Sequence, residues 1–425
     1  MYNVNVSVII DQFSVKLEIF RIMIQRELYM NKIRGFMDQP ELIKIITGLR
    51  RSGKSVMLSL IRMELLKKGI PEKNILTFNF EDMSFSHLKN PKKLHDHLKE
   101  KINLQRARSY LFLDEIQEVK NWETCINSLR VNSDVDIYIT GSNAKMLTGE
   151  YSTLLAGRYV EIQMYPFSFA EFCLAVREKQ MLSDLEIFKL YFKQGGMPFL
   201  SVLGYNETET KQYLHDIYAS VVIKDIIKRN SFRDVDLLER IITYIMANTG
   251  RTFSATSISK FFKNEKRIAA PETILNYLKA CEDAYLFIKI NRYDVPGKKI
   301  LQINEKYYLA DHGLREAIYG YNERDIELIM ENIVCLELKR RSYAVTVGRA
   351  GEKEIDFIAK NNEECIYIQV CYLLAGEETI KREFEIFSSI NDNFPKYVVS
   401  MDEFNLSRNG IIHKNIREFL LLEKF

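Results

Sequence analysis

The rhythm of apolar and polar positions changes several times along this chain, and the changes divide it. Between residues 42 and 164, short apolar runs alternate with stretches of helical spacing. Leu42–Thr47 (LIKIIT), Ile75–Phe80 (ILTFNF), Tyr110–Leu113 (YLFL), Val135–Thr140 (VDIYIT) and Tyr159–Met164 (YVEIQM) have strand length and few breakers. Val56, Leu60, Met63 and Leu66 recur at helical spacing over Lys54–Lys68, and Gly69 and Pro71 end that helix. Pro91–Leu104 and Trp122–Val131 read as further helices, and an amphipathic helix is expected around Val15–Met37. Strands alternating with helices imply an α/β fold with a parallel sheet.

After Pro166 the pattern becomes long-period and helical to about residue 250. Residues 251–310 mix short helices with a β-hairpin, LFIKINRYDVPGKKILQIN, turning near Pro296-Gly297. From Asp325 a helix leads into strands near Tyr343–Val347, Ile355–Ala359 and Ile366–Val370. The expected units are 1–165, 166–250, 251–320 and 321–425, abutting without low-complexity linkers or internal repeats.

Composition narrows the class. The chain has 425 residues, 47% of them hydrophobic and 28% charged, with a net charge of +3. That is ordinary for soluble domains and too balanced for a chain that coats polyphosphate. No apolar run reaches the roughly 18 residues of a membrane span, and MYNVNVSVIIDQF lacks a basic segment ahead of an apolar core. A cytoplasmic protein without a membrane partner is expected. Cys125, Cys173, Cys281, Cys335, Cys365 and Cys371 form no C-x-x-C pair and read as reduced, buried thiols. His95 and His97 flank Asp96 in a polar helix, the pattern of a solvated face rather than a metal site.

The chemistry concentrates at Ile46–Leu58. Gly48-Leu-Arg50-Arg51-Ser52-Gly53-Lys54-Ser55 fits G-x-x-x-x-G-K-[ST] between a strand and a helix. Glycines let successive N–H groups point at phosphate oxygens, and the helix N-terminus adds its dipole. The backbone from Gly48 through Val56 would cradle ATP, Lys54 would reach the β- and γ-phosphates, and the Ser55 hydroxyl would bind Mg²⁺. YLFL delivers Asp114 and Glu115 to the C-terminal end of its strand. Asp114 suits Mg²⁺ held through water, and Glu115 suits the general base for an attacking water. Ser142 or Asn143, at another strand end, would bond the γ-phosphate or that water, or would cap the next helix. Arg158 would stabilise transition-state charge, in trans within a homo-oligomer, or form a structural salt bridge.

Taken together, GLRRSGKS, YLFLDEIQ, ITGSNAKML and LAGRYVEIQMYPFSFAEF resemble the bacterial and archaeal AAA-type P-loop ATPases that carry a C-terminal domain of unknown function (the DUF4143 type). QGGMP (Gln194–Pro198) and KYYLADHGL (Lys306–Leu314) are similar to that family's second half. The resemblance runs from about Arg26 to about Tyr372. It implies an additional-strand core, in which the strand ending at Asp114 is not the direct neighbour of the phosphate-loop strand. It leaves the biological role open, including protein clients.

Two later segments suggest binding modules. Ser254–Phe262 and Pro271–Cys281, followed by the hairpin, follow a winged-helix plan, which the resemblance also suggests. Thr273, Asn276 and Lys279 would then face a DNA groove, with Lys289, Arg292, Lys298 and Lys299 on phosphates; the alternative is a protein or intramolecular contact. Glu331, Asp356, Gln369 and Cys371 resemble the site of a restriction-endonuclease-like core. Gln369 stands where an anionic ligand belongs and Cys371 where the lysine belongs, so the fold is expected without the nuclease chemistry. An ATP-regulated nuclease and a nucleotide-gated scaffold with negligible turnover are the alternatives.

Overall fold

The computed structural model describes residues 23–105, 107–147, 155–294, 299–350, 353–362 and 364–425. Its first half is built on five strands: β1 (Ile43–Gly48), β2 (Ile75–Asn79), β3 (Ser109–Asp114), β4 (Val135–Thr140) and β5 (Tyr159–Met164). They lie in the order β2-β3-β4-β1-β5, every pair parallel. β4 therefore separates the strand that ends at Asp114 from the strand that enters the phosphate loop, the additional-strand arrangement expected. β1, β3 and β4 are buried along their whole length, which is why they read as continuous apolar runs rather than alternating ones.

Helices α1 (Glu27–Arg34), α2 (Lys54–Lys67), α3 (Pro91–Asn103) and α4 (Trp122–Asn132) cover the two faces. Ile43, Ile45, Leu111, Leu113, Ile137 and Ile139 pack on Leu94, Leu98, Trp122 and Ile126. Ile46, Tyr110, Phe112 and Tyr138 face Tyr29, Ile33, Met57, Ile61 and Leu65. The face expected for α2 is thus rotated. Met57, Leu58, Leu60, Ile61 and Leu65 are buried, while Val56 is 41% exposed, because it borders a cavity described below. Of the helix expected around Val15–Met37, only Glu27–Arg34 is helical among the described residues, and residues 15–22 lie outside them.

One polar contact sets a register. Lys44 on β1 and Asp136 on β4 are fully buried and ion-paired, and Tyr138 donates a hydrogen bond to Asp136 at 2.7 Å. Slipping β1 by one residue would send Lys44 to the other face and strand Asp136. Removing one partner of a buried pair leaves an uncompensated charge, so Asp136→Ala should cost about 3–5 kcal/mol in chemical denaturation. Pairing it with Lys44→Met should recover most of that loss.

The second half begins with α5 (Phe169–Arg177), α6 (Asp184–Gln194), α7 (Glu207–Ser220) and α8 (Val235–Ala247). Then come β6 (Thr252–Phe253), α9 (Ala255–Asn264), α10 (Pro271–Asp283) and the strands β7 (Phe287–Asp294) and β8 (Lys299–Leu309). β8 pairs antiparallel with both β7 and β6; the turn expected at Pro296-Gly297 lies outside the described residues. Beyond α11 (His312–Ile318) and α12 (Ile326–Arg340) follow β9 (Ala344–Ala350), β10 (Lys353–Asn361) and β11 (Glu364–Val370), an antiparallel meander. Helix α13 (Glu377–Glu385) then leads to β12 (Lys396–Ser400), parallel to β11, and β13 (Ile412–Asn415) and α14 (Ile416–Leu420) close the chain. β7 pairs with β9, so β6 to β13 form one eight-stranded sheet spanning residue 320. All six cysteines are free and buried. Among the described residues, no helix is long and apolar enough to cross a membrane.

QGGMP and ADHGL turn out to be partners. The Gly196 N–H donates to Asp311 at 2.8 Å, and a Cβ on Gly195 would collide with Asp311 and Gly313. His312 bonds the Tyr191 carbonyl through Nε2 at 2.7 Å, which assigns the ring proton to Nε2. Burial pushes His312 down to about 4. Burial pushes Asp311 up to about 7, against the N–H groups of Gly196, Leu314 and Gly313. Between about pH 6.5 and 4, unfolded His312 takes a proton that the folded residue refuses, so its contribution falls as pH falls. Asp311 has the opposite sign: between about pH 7 and 4 the folded residue holds the extra proton, and its contribution rises as pH falls. Relative to wild type, urea melts across that range should tilt toward acid lability in Asp311→Asn and toward acid stability in His312→Asn. The tilt should be about 3 kcal/mol for His312→Asn and about 4 kcal/mol for Asp311→Asn over the full window.

Candidate functional site

The phosphate loop closes where β1 ends. Gly48 has φ 135°, and any side chain there would strike the Met164 carbonyl on β5, so glycine is required. Gly53, at φ 103°, forms the N-terminal cap of α2. The Lys54 ammonium is buried and folds back on the loop, donating to the carbonyls of Gly48 at 3.1 Å and Leu49 at 3.0 Å. Burial lowers its pKa, against the pull of Glu115 and Asp114. A cation held in that cradle, beside N–H groups at a helix start, suits a polyphosphate.

The acids arrive from β3. Asp114 is bonded by the hydroxyl of Thr140, the last residue of β4, and by that of Ser55. Burial raises the Asp114 pKa, and those two hydroxyls oppose the rise. The Ser55–Asp114 pairing is the donor set a hydrated Mg²⁺ takes: one hydroxyl and one carboxylate, with waters completing the shell. Glu115 sits at φ 53°, a left-handed conformation rare outside glycine and of the kind that clusters at functional sites. Its N–H donates to Thr140 at 2.9 Å, and its carboxylate is held by Gln117 and by the Ser142 hydroxyl at 3.3 Å. Ser142 thus touches Glu115, whereas Asn143 turns away. The Asn143 side chain accepts from the Lys145 N–H at 2.9 Å and donates to the Asp225 carbonyl at 3.3 Å.

Of these groups, Gly53, Lys54, Ser55 and Glu115 open on a cavity of about 550 Å³. Arg50, Arg51, Gly53, Lys54, Ser55, Val56, Glu81 and Glu115 line its polar side. Met23, Ile24, Phe167, Pro198, Phe199, Val202 and Tyr213 line the apolar side, a surface of the kind that takes a flat heteroaromatic base. That base wall was not legible in the sequence, because it is assembled from the N-terminal segment, the QGGMP turn and α7. Arg26 was also missed. It is buried, with φ 50°, and donates to Glu171 through Nε and a terminal nitrogen at 3.0 Å each, to the Ser52 carbonyl at 2.9 Å and to the Tyr165 carbonyl at 2.8 Å. Ser52 is therefore positioned from outside the loop. Arg158 lies at the far end of the sheet: its carbonyl accepts from Ile43, the first residue of β1, about 16 Å of strand from Gly48. Arg158 does not reach the phosphate loop of its own chain.

A second acidic cluster lies on the eight-stranded sheet. Glu331 on α12 and Asp356 on β10 come together as expected, but around Lys306 of β8. Its ammonium is 3.4 Å from Glu331, 2.9 Å from Glu354 and 3.7 Å from Asp356. Burial alone would lower Lys306; the three acids outweigh it and hold the ammonium above the ordinary lysine range. Gln369 accepts from the Asp356 N–H at 3.3 Å, and Cys371 packs in an apolar cluster with Ile355 and Tyr367, its thiol pushed up by burial. The centre of the cluster is filled by a side-chain cation, so these residues do not fit a divalent metal. Lys306→Met should cost about 3–5 kcal/mol at pH 7.5 by leaving buried carboxylates unpaired. It should cost less at pH 5, where carboxyls already raised by burial take up protons, as paired denaturation curves would reveal.

Comparison with known proteins agrees with this geometry. The AAA domain family matches residues 40–173, and a domain of unknown function (DUF8612) matches residues 185–325. The family matched in the second half is therefore DUF8612, where the sequence resemblance implied DUF4143. An uncharacterized protein of Haemophilus influenzae is 39% identical over 380 residues, covering 89% of this chain and 93% of that protein. The uncharacterized protein MJ1544 of Methanocaldococcus jannaschii is 29% identical over 364 residues, covering 82% of this chain and 78% of that protein. Among solved structures, the Walker-type ATPase PABY2304 of Pyrococcus abyssi has a TM-score of 0.50 at 14% identity, over 69% of this chain and 95% of its own, a likeness of fold.

Proposed function

This chain belongs to the AAA-type P-loop ATPases, and on that premise we propose that it hydrolyses MgATP and uses the cycle to alter contacts between its sheet core and its helical second half. The observation that carries the proposal is that Lys54, Ser55 and Glu115 line one cavity, with Asp114 bonded to Ser55 and, like Glu115, to Thr140. Bound Mg²⁺ would neutralise charge between the β- and γ-phosphates, held by Ser55 and, through water, Asp114. Lys54 would exchange its two loop carbonyls for phosphate oxygens. Glu115, held by Gln117 and Ser142, would take the proton of the attacking water. Met23, Ile24, Phe199 and Tyr213 would sandwich the base. Arg158, remote from its own site, has a catalytic use only in a neighbouring copy of the chain.

For residues 251–310 the reading we favour is an intramolecular one. Their helix–helix–hairpin order, with β6 on β8, is that of a winged helix, and Asn276 and Lys279 are exposed on α10. Yet Lys279 is paired with Glu282 and Asp283, Arg267 with Asp234 and Asp236, and Lys289 with Glu305, which leaves little positive field for phosphates. Tyr285, at the end of α10, instead bonds Glu161 of the core sheet at 3.3 Å, and Thr47 bonds the same carboxylate at 2.6 Å. The helix–meander–helix–strand order of α12 to β12 supports a restriction-endonuclease-like module, and Lys306 amid its acids supports a module that binds without cutting.

Fluorescent-nucleotide titration and phosphate release test the ATPase reading. Lys54→Ala should abolish binding of MgATP. Glu115→Gln should keep binding and lose phosphate release by about 100-fold or more. Wild-type protein that fails to bind MgATP would end this reading, and unchanged turnover in Glu115→Gln would favour a different base.

A further inference from the structure

The phosphate loop has a second tether, on the side away from Arg26. Helix α7 does not stop at Ser220. It widens into a single π-helical turn over Val221–Ile227 and resumes at Lys228–Asn230. Such turns are rare and frequently mark functional positions, because the wider winding is poorly bonded. The turn carries Asp225, whose side chain is 1% exposed, to Arg50 of the phosphate loop. Arg50 Nε lies 3.0 Å from Asp225 Oδ2, and an Arg50 terminal nitrogen donates to Oδ1 at 3.4 Å. The other terminal nitrogen of Arg50 donates to Glu81 at 3.0 Å. Arg229, one turn on, lies 3.5 Å from Asp225, and the Asp225 carbonyl accepts from Asn143 at the end of β4. One buried acid on a widened turn thus meets the loop arginine that lines the cavity and the asparagine that follows the core strand.

We propose that Asp225 is a positioning residue that competes with the nucleotide for Arg50, so that triphosphate binding loosens the tie between the phosphate loop and the π turn. This rests on the ATPase reading and names its coupling element. The physical reason is charge. Arg50 has one forked guanidinium, and its present partners are two carboxylates; a triphosphate at the cavity offers denser anionic oxygen to the same fork. Drawing Arg50 toward phosphate unpairs Asp225 within reach of Arg229, which can accept the carboxylate. The turn can then shift along α7, together with its bond to Asn143. Linkage requires the converse: weakening the Asp225 tie must tighten nucleotide binding.

The experiment is an equilibrium titration of the full chain with MgADP and a slowly hydrolysed MgATP analogue, alongside steady-state turnover. Asp225→Asn should tighten analogue binding about 5-fold or more while lowering kcat, because Arg50 is freed and the phosphate loop loses its charged tie to the π turn. In an Arg50→Gln background, Asp225→Asn should change affinity no further. Asp225→Glu should restore part of the wild-type balance. Unchanged affinity in Asp225→Asn, or weaker affinity with a parallel fall in kcat, overturns the proposal and leaves Asp225 as a structural pair. If Asp225→Asn does not fold, hydrogen exchange decides: amides of 221–230 should lose protection on adding the analogue to wild type and stay unchanged in Arg50→Gln, and equal responses in both overturn the proposal. Wild-type protein without nucleotide affinity would instead sink the ATPase reading, a result distinct from either.

Discussion

The Arg26 guanidinium reaches from the N-terminal segment into a buried crossing of the phosphate loop, the exit of β5 and helix α5, and it bonds all three. A charge buried there would be costly without a partner, and Glu171 meets it with two parallel bonds. Burial raises the Glu171 carboxyl, but Arg26 outweighs this and keeps it below the usual range. Glu171 is also the third residue of a capping box with Ser168, so the same carboxylate that neutralises Arg26 starts helix α5. The consequence reaches the chemistry. Ser52 has its carbonyl pinned, so the loop N–H groups are preset rather than ordered by ligand, which reduces the entropy lost on binding phosphate. Arg340, on α12 of the second half, sits on the other side of the same crossing and donates to the carbonyls of Pro166 and Phe167. Lys32 of α1 bonds the Arg340 carbonyl in turn. The two halves therefore meet where β5 hands over to α5, directly behind the phosphate loop.

What could be read in the sequence was what has a local signal. GLRRSGKS carries its own geometry, and an apolar run ending in two acids announces a strand that delivers them, so Gly48 to Ser55 and Asp114–Glu115 were found before any fold was known. The strand order came only with the family resemblance, since spacing does not say that β4 lies between β1 and β3. Residues whose meaning lies in a distant partner were not legible. Lys44 looks like the polar half of a strand alternation until Asp136 is seen beside it. Arg26 has no motif, and its partners lie 26, 139 and 145 residues away. Val56 belongs both to the helical spacing of α2 and to the phosphate-loop stretch, and spacing alone does not say that its side chain borders a cavity rather than the core. The place of Asn143 after β4 suits either a phosphate contact or a cap of the next turn, and its side chain takes the second role, accepting from the Lys145 N–H while donating to the Asp225 carbonyl.

The second sheet teaches a related lesson about degenerate sites. Gln369 and Cys371 already spoke against metal chemistry, by supplying an amide and a thiol where charge is needed. Lys306 gives the physical complement, and it comes from a hairpin strand outside the segment that holds the acids. Glu331 and Asp356 are buried, and without a neutralising partner each carboxylate would cost several kcal/mol. A lysine on β8, separated from β10 by β9 and β7 in the sheet, supplies the counter-charge and ties the hairpin to the meander. The same lysine therefore fills the centre of the acidic cluster and fastens two segments of the sheet.

The phosphate loop itself is held in two different ways. Its backbone is tied at Ser52 to a buried, fully bonded arginine that has no reason to move when ligand arrives. Its side chain at Arg50 is tied to Asp225 and Glu81, partners of the same chemical kind as a phosphate and therefore replaceable by one. A loop fixed at both points would bind nucleotide and report nothing; a loop free at both would bind weakly, because its N–H groups would be ordered at the ligand's expense. Rigid amides beside an exchangeable arginine allow tight binding and a signal together. Arg50 and Asn143 converge on the same widened turn after α7, so on the reading proposed above that turn is where an exchange at Arg50 would be felt in the helical half.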